Sequence, residues 1–267
     1  MRRMIAAVTF GIREHRAIVV VLAVALVLRI ALGLWIETKH DTSLYMMSDS
    51  MAYIQMAENV ADGHGFSQST TTPYVPDGMR TPLYPLVLLG TKSLFGSSFA
   101  YIDVQVVLSI VLIGLAYALA CIVTGDRRLA FVAGLLMAFE PYATFVNYSM
   151  LTDTLYAVIT TLAFICAVLF YKKTDYRYLA VASALCALAA LTRPIAQFLP
   201  VLLVVLGLYA APRMYMRSVL VAVFPFFLIV SPWLIRNHQV FGVIAFSSGG
   251  FQNVYSDLGA TIISYRD

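Results

Sequence analysis

Long apolar runs constrain this chain more than any other feature. One extends from Ala17 to Ile36, and others follow at about 103–123, 129–146, 151–171, 178–192, 195–211 and 218–235. Coiled as α-helix, runs of this kind match the roughly 30 Å hydrocarbon core of a bilayer. Of the 267 residues, 61% are hydrophobic and 12% charged, where soluble domains carry about 25% charged residues. A β-barrel would need short alternating segments, which are absent. The expected fold is an all-α polytopic membrane protein with about seven transmembrane helices, forming a single domain over 1–267.

Charge placement orients the spans. Arg2, Arg3, Arg13 and Arg16 precede the first run, as in the basic start of a signal peptide. That run is long enough to span and no small-residue cleavage site follows, so it reads as a retained helix. The other basic clusters are Arg127–Arg128, Lys172–Lys173 with Arg177, and Arg213 with Arg217. With seven helices they all fall on one face, which the positive-inside rule makes cytoplasmic. The expected protein is integral to the plasma (inner) membrane with a cytoplasmic N-terminus. Its first external loop runs from about 37 to 102, and an external C-terminal segment begins at about 237–267. The turns near 147–152 and 192–194 are external too. Cys121, Cys166 and Cys186 each lie inside an apolar run and read as small packing residues. The four histidines show no ligand spacing, and no metal site or divalent-metal requirement is indicated. Nothing points to nucleic acid.

The first external loop holds the one long polar stretch before the C-terminal tail, Ser48 to Pro85. Ser48 or Asp49 is placed to cap a helix whose apolar positions are Met51, Ile54, Ala57 and Ala61. Gly63 and Gly65 end it. Too short and polar to span, this helix is expected to lie in the membrane interface. Residues 67–79 lack periodicity and read as a mobile loop, and Pro82 opens a second interfacial helix reaching about Phe95.

Three acids at the external side are candidates for chemistry. Asp49 suits either a general base or a helix cap. Asp153 opens the fourth span within Met-Leu-Thr-Asp-Thr-Leu-Tyr, where ionisable residues commonly face a cavity. Glu140, before Pro141, reads either as a functional acid or as a residue at a kink. Four cations, Arg80, Lys92, Arg193 and Arg236, run against the positive-inside rule. A lipid-linked phosphate is one reason for them, since guanidinium pairs with phosphate oxygens. For Lys92, snorkelling to headgroups suffices. Asn147-Tyr-Ser is formally a glycosylation sequon at the membrane surface and carries little weight.

In order along the chain come Ser-Asp-Ser-Met-Ala-Tyr, Ala-Asp-Gly-His-Gly-Phe, Arg-Thr-Pro-Leu-Tyr-Pro, Met-Leu-Thr-Asp-Thr-Leu-Tyr, Leu-Thr-Arg-Pro and Pro-Trp-Leu-Ile-Arg-Asn-His-Gln-Val-Phe-Gly. This series resembles the landmarks of the polyprenyl-phosphate-sugar-dependent membrane glycosyltransferases of the C-type fold. That group takes in the dolichyl-phosphate-mannose-protein mannosyltransferases and the aminoarabinose transferases. The resemblance implies a sugar carried on a polyprenyl phosphate and an envelope glycan, lipid or protein acceptor. It implies Asp49 as the base, Asp153 as a second acid and inversion at the anomeric carbon. Tyr53, Arg80, Tyr84 and Arg193 become donor-site residues, with Arg236 as a further phosphate-facing cation. The chain departs from the group by an Asp where the fourth-helix acid is more often Glu, and by Asp49 standing between two serines where some branches have an acidic pair. Relatives are usually much longer, so a truncated member or N-terminal module is expected. The competing readings are a transporter or flippase of lipid-linked sugars and a non-catalytic relative. A transporter calls for charges deep within spans, whereas the acids here sit at external helix ends.

Overall fold

The structure is a computed structural model that describes residues 16–38, 46 and 49–247. The expected tail beyond 247 and most of the chain between the first two helices lie outside the described residues. The helices are α1 (Arg16–Glu37), α2 (Ser50–Ala61), α3 (Leu83–Phe95), α4 (Tyr101–Thr124), α5 (Arg127–Ala138), α6 (Pro141–Val146), α7 (Asp153–Lys173), α8 (Tyr176–Ala190), α9 (Leu199–Ala210) and α10 (Tyr215–Phe241). Short 3-10 turns cover Ser98–Ala100, Pro194–Phe198 and Pro212–Met214. Among the described residues there is no strand beyond a single bridge between Ser67 and Pro76.

Four segments are long and apolar enough to cross a membrane by length and composition: α1, α4, α7 and 212–241, which ends in α10. Their outer faces carry large apolar side chains such as Val27, Val107, Phe164 and Phe224, all well exposed. A folded chain leaves that much apolar surface uncovered where its surroundings are hydrocarbon. The protein is an all-α, multi-pass membrane protein. The other three expected spans are shorter. The run at 129–146 is broken into α5 and α6, because Pro141 biases Glu140 to an extended conformation (φ −66°, ψ 115°). Glu140 then accepts the Tyr142 N–H at 3.1 Å, with the Ala143 N–H as a second donor, and caps α6. The kink-side role thus absorbs its carboxylate. The run at 178–192 is the 15-residue α8, and 195–211 divides into a 3-10 turn and the 12-residue α9.

The largest core lies between α7, α8, α9 and α10. Ala182, Ala187, Ala189 and Ala190 are wholly buried along α8 and let the neighbouring helices approach closely. At Pro225 the backbone of α10 is locally opened, and Ser183 of α8 fills the gap. Its hydroxyl donates to Ala222 O at 2.7 Å and accepts the Phe226 N–H at 3.1 Å. A second core packs α2 and α3 over the start of α4 through Ile54, Tyr84, Leu88 and Tyr101. A third joins α1 to α4 and α5 through Ile18, Val21, Ala25 and Ile113.

Contacts between helix ends place the turns. Lys172 Nζ donates to Ile122 O, and the Tyr176 hydroxyl meets Ser218 Oγ at 3.2 Å. The starts of α8 and α10 therefore gather at the same end as the finishes of α4 and α7. The beginning of α7 lies about 32 Å away at the other end, where the first loop docks.

The stretch 67–79, expected to be mobile, is instead tied down. Asn59 Nδ2 donates to Ser67 O and Ser69 O at 2.7 and 3.0 Å, and the Asp77 N–H donates to Phe66 O at 2.7 Å. His64 stacks on Tyr74 with ring centroids 3.8 Å apart. Sequence aperiodicity reflects the lack of regular structure here, while these tertiary bonds supply the order.

Candidate functional site

The site is assembled from helix ends. α8 finishes with carbonyls that no later turn of helix can satisfy. The Leu83 N–H donates to Leu191 O at 2.9 Å, and the Thr81 hydroxyl donates to Thr192 O at 2.9 Å. These two bonds dock the Arg-Thr-Pro-Leu segment onto the Thr-Arg-Pro turn and carry Arg80 and Arg193 to the same end of the bundle.

Asp49 occupies the N-cap position of α2, but its backbone is already helical (φ −94°, ψ −13°) and its side chain makes no cap bond. The carboxylate reaches across to Arg80, with Oδ1 at 2.7 Å from Nη2. The cap alternative is therefore not realised by its side chain. Asp49 is half exposed, whereas only 14% of the Arg80 side chain is open. The Arg80 guanidinium lies 5.5 Å above the Tyr53 ring, which meets Tyr84 edge-on at 4.8 Å. Burial pushes the Tyr53 phenol above its ordinary pKa, and the Asp49 charge adds to that.

Asp153 is the first residue of α7, and its Oδ2 lies 2.5 Å from Arg193 Nη2. Arg193 Nε donates to Thr152 Oγ1 at 2.6 Å. Pro194 explains the direction of this side chain. It favours an extended Arg193 (φ −141°, ψ 124°) and sends the guanidinium across to the start of α7.

The two ion pairs share one open cavity of about 460 Å³, lined by Asp49, Tyr53, Arg80, Tyr142, Asp153 and Arg193 among others. An adjoining, more apolar cavity of about 250 Å³ also touches Tyr142 and Asp153 and runs inward to Arg29. Two acids and two arginines thus face each other at the mouth of an apolar space. Guanidinium groups pair with anionic oxygens, and a half-exposed carboxylate at hydrogen-bonding range accepts a proton from a bound hydroxyl.

The structure separates the remaining sequence candidates from this group. Tyr84 is fully buried behind Tyr53, its hydroxyl has no hydrogen-bond partner, and burial drives its pKa well above the ordinary value. It does not line the cavity. Arg236 also stands apart. It donates to Asp77 O at 2.9 Å and Asn237 Oδ1 at 2.8 Å and lies 4.8 Å over Trp233, so its fork faces protein groups. Lys92 pairs with Glu58 at 3.2 Å. Among the described residues, no three His, Cys, Asp or Glu side chains gather as metal ligands.

Three contributors were not singled out from sequence. Thr152 orients Arg193, and its place beside Asp153 was the available signal. Asp77 sits buried beneath Arg80 but belongs to a Pro-Asp-Gly turn, where Asp needs no further reason. Arg29 is 2% exposed within the first span and bonds Ser109 Oγ at 2.9 Å and Ala138 O at 3.3 Å. An arginine within an apolar run is itself a signal.

The fold and site define a multi-pass membrane protein with a charged cavity at one end of its helices. The profile of the dolichyl-phosphate-mannose-protein mannosyltransferase family matches residues 79–235, and the chain belongs to that family. It is accordingly a membrane protein of glycosyltransferase type, a class that works on a lipid-linked sugar and an acceptor. The matched region contains Arg80, Asp153 and Arg193; Asp49 precedes it. The search of the curated proteins and that of the solved structures both returned no match.

Proposed function

We propose that the protein transfers a sugar from a polyprenyl-phosphate donor to a hydroxyl of an envelope glycan, lipid or protein, with Asp49 as general base. The convergence of Asp49, Asp153, Arg80 and Arg193 on one cavity carries this reading. The acceptor hydroxyl gives its proton to Asp49 as its oxygen bonds to the anomeric carbon. The bond from that carbon to the phosphate oxygen breaks, and the polyprenyl phosphate leaves with the electron pair. Attack from the side opposite the phosphate inverts the anomeric centre. Arg80 and Arg193 meet the charge on the departing phosphate, a type of stabilisation that is often the largest catalytic contribution. For this they exchange part of their pairing with Asp49 and Asp153 for pairing with phosphate. Asp153 holds Arg193 in the meantime and borders the acceptor. The apolar cavity beside Asp153 suits the first isoprene units of the donor.

The cations at the opposite end of the bundle, Lys172, Lys173 and Arg217 among them, support a cytoplasmic assignment for that end and an external site in the plasma membrane. The test is transfer from a polyprenyl-phosphate sugar in proteoliposomes. Asp49→Asn is expected to lower the rate by about 100-fold or more, and Asp153→Asn to weaken it as well. Undiminished transfer by Asp49→Asn removes Asp49 as the base. Movement of the lipid-linked sugar across the bilayer without transfer puts transport in place of catalysis.

A further inference from the structure

Asp77 is a buried charged group beside Arg80 that the proposed chemistry leaves unused. Its side chain is 5% exposed, a costly setting for a carboxylate unless it is fully engaged. Every oxygen is occupied. Oδ1 accepts the N–H groups of Met79 and Arg80, both at 2.8 Å. Oδ2 accepts from Gln68 Nε2 and lies 3.6 Å from Arg80 Nη1. The backbone carbonyl accepts from Arg236 Nη1 at 2.9 Å, which fixes Asp77 to the end of α10.

Arg80 therefore touches two carboxylates of different kinds. Asp77 lies beneath it, enclosed and locked in a turn; Asp49 lies above it, half exposed on the cavity. Phosphate entering the cavity competes with Asp49, the accessible partner, and not with Asp77. Arg80 Nε is buried and without a hydrogen-bond partner, so the guanidinium depends on Nη1 and Nη2 for its direction. We propose that Asp77 is a positioning residue for the transfer reaction: it anchors Arg80 from below, so that Nη2 stays aimed into the cavity when Asp49 gives way to the donor phosphate. Arg236, placed by sequence among the phosphate-facing cations, acts through this chain by holding Asp77. The inference rests on the donor-site reading of Arg80 given above.

The discriminating variant is Asp77→Asn. Its amide oxygen still accepts the Met79 and Arg80 N–H groups, Gln68 turns its own amide oxygen to the new NH2, and Arg80 loses the carboxylate oxygen and charge beneath it. The expected result is a melting temperature close to wild type and a rise of about tenfold in KM for the polyprenyl-phosphate sugar, with kcat changed less. In an Arg80→Ala background the same substitution is expected to have no further effect on KM. Phenylglyoxal labelling of the purified protein, read by mass spectrometry, is expected to show Arg80 protected in wild type and more reactive in Asp77→Asn. Equal Arg80 labelling in both proteins, or a KM effect of the same size with and without Arg80, overturns the proposal. If Asp77→Asn does not fold, Arg80→Lys asks the same question. A single ammonium cannot hold Asp77 and reach the cavity together, so donor KM rises with the charge retained, and a wild-type KM overturns the proposal. Absence of transfer by the wild-type protein would sink the donor-site reading alone, since the labelling comparison still decides whether Asp77 directs Arg80.

Discussion

Replacing Arg193 with lysine separates geometry from charge at the site. The guanidinium makes two directed bonds from one planar fork, Nε to Thr152 Oγ1 at 2.6 Å and Nη2 to Asp153 Oδ2 at 2.5 Å. Lysine keeps the charge but brings a single nitrogen at the end of a flexible stem, so one of the two bonds is lost. A hydrogen bond to a charged group is worth about 1.5–3 kcal/mol. The Arg193 side chain is 38% exposed, and solvent screening reduces the expected loss to about 1–2 kcal/mol. At about 1.4 kcal/mol per factor of ten, that is a fall of roughly 5- to 30-fold in kcat/KM. The assay is steady-state transfer in proteoliposomes, with melting of the detergent-solubilised protein as a control for folding. Arg193→Ala, which loses the charge too, is expected to fall further. The Arg193→Lys effect is also expected to shrink in an Asp153→Asn background, where the partner charge has already gone. A kcat/KM for Arg193→Lys within twofold of wild type would refute the reasoning. Arg193 would then act as a point charge, and its fork and the Pro194-imposed backbone would be incidental.

Two further predictions concern the scaffold. Arg29 is enclosed between α1, α4 and α5, with its donors spent on Ser109 Oγ, Ala25 O and Ala138 O. A buried charge stripped of this geometry costs more than an apolar side chain of similar volume, so Arg29→Met is expected to melt above Arg29→Lys by an equivalent of about 1–4 kcal/mol; the reverse order contradicts this. Ser183→Ala removes the hydroxyl that serves both Ala222 O and Phe226 N–H beside Pro225. A loss of about 1–2 kcal/mol is expected in thermal or denaturant unfolding, and unchanged stability would mean that the opened backbone of α10 closes without help.

What could be read in the sequence follows from which interactions are local. The thickness of a bilayer sets the length of a crossing helix, so α1, α4, α7 and α10 stand out as apolar runs. The start of a helix favours an acidic residue, so Asp49 and Asp153 stand out as candidates, and arginines on the side expected to be external call for a partner. The break at Glu140 was present as an X-Pro pair, yet an uninterrupted apolar flank disguised two short helices as one. The loop 67–79 looked unstructured because its order comes from Asn59 and from the docked end of α10, both remote from its own pattern. Arg236 and Arg193 look alike by residue type and by the external side to which the charge pattern assigns both. Their directions differ because Arg236 lies over Trp233 and turns its N–H groups to two backbone carbonyls, while Arg193 lies over Tyr156 and turns its N–H groups to a hydroxyl and a carboxylate at the cavity. Such choices depend on neighbours from other helices and are not written in local spacing.

The same reasoning explains why this end of the bundle holds the charges. α2 and α7 both begin there, and the positive ends of their dipoles favour acidic residues, which are Asp49 and Asp153. α8 finishes there, and its open carbonyls are satisfied by Leu83 and Thr81 from the first loop. That docking sets Arg80 opposite the helix starts, and the turn required after α8 supplies Arg193. The acids and the arginines therefore come from separate elements, and each pair bridges two of them: Asp49–Arg80 joins α2 to the segment before α3, and Asp153–Arg193 joins α7 to the turn after α8. The Leu83–Leu191 backbone bond and the Thr81 hydroxyl bond to Thr192 O hold the first loop on the turn after α8 independently of both ion pairs, so either arginine can exchange its carboxylate partner without breaking a helix.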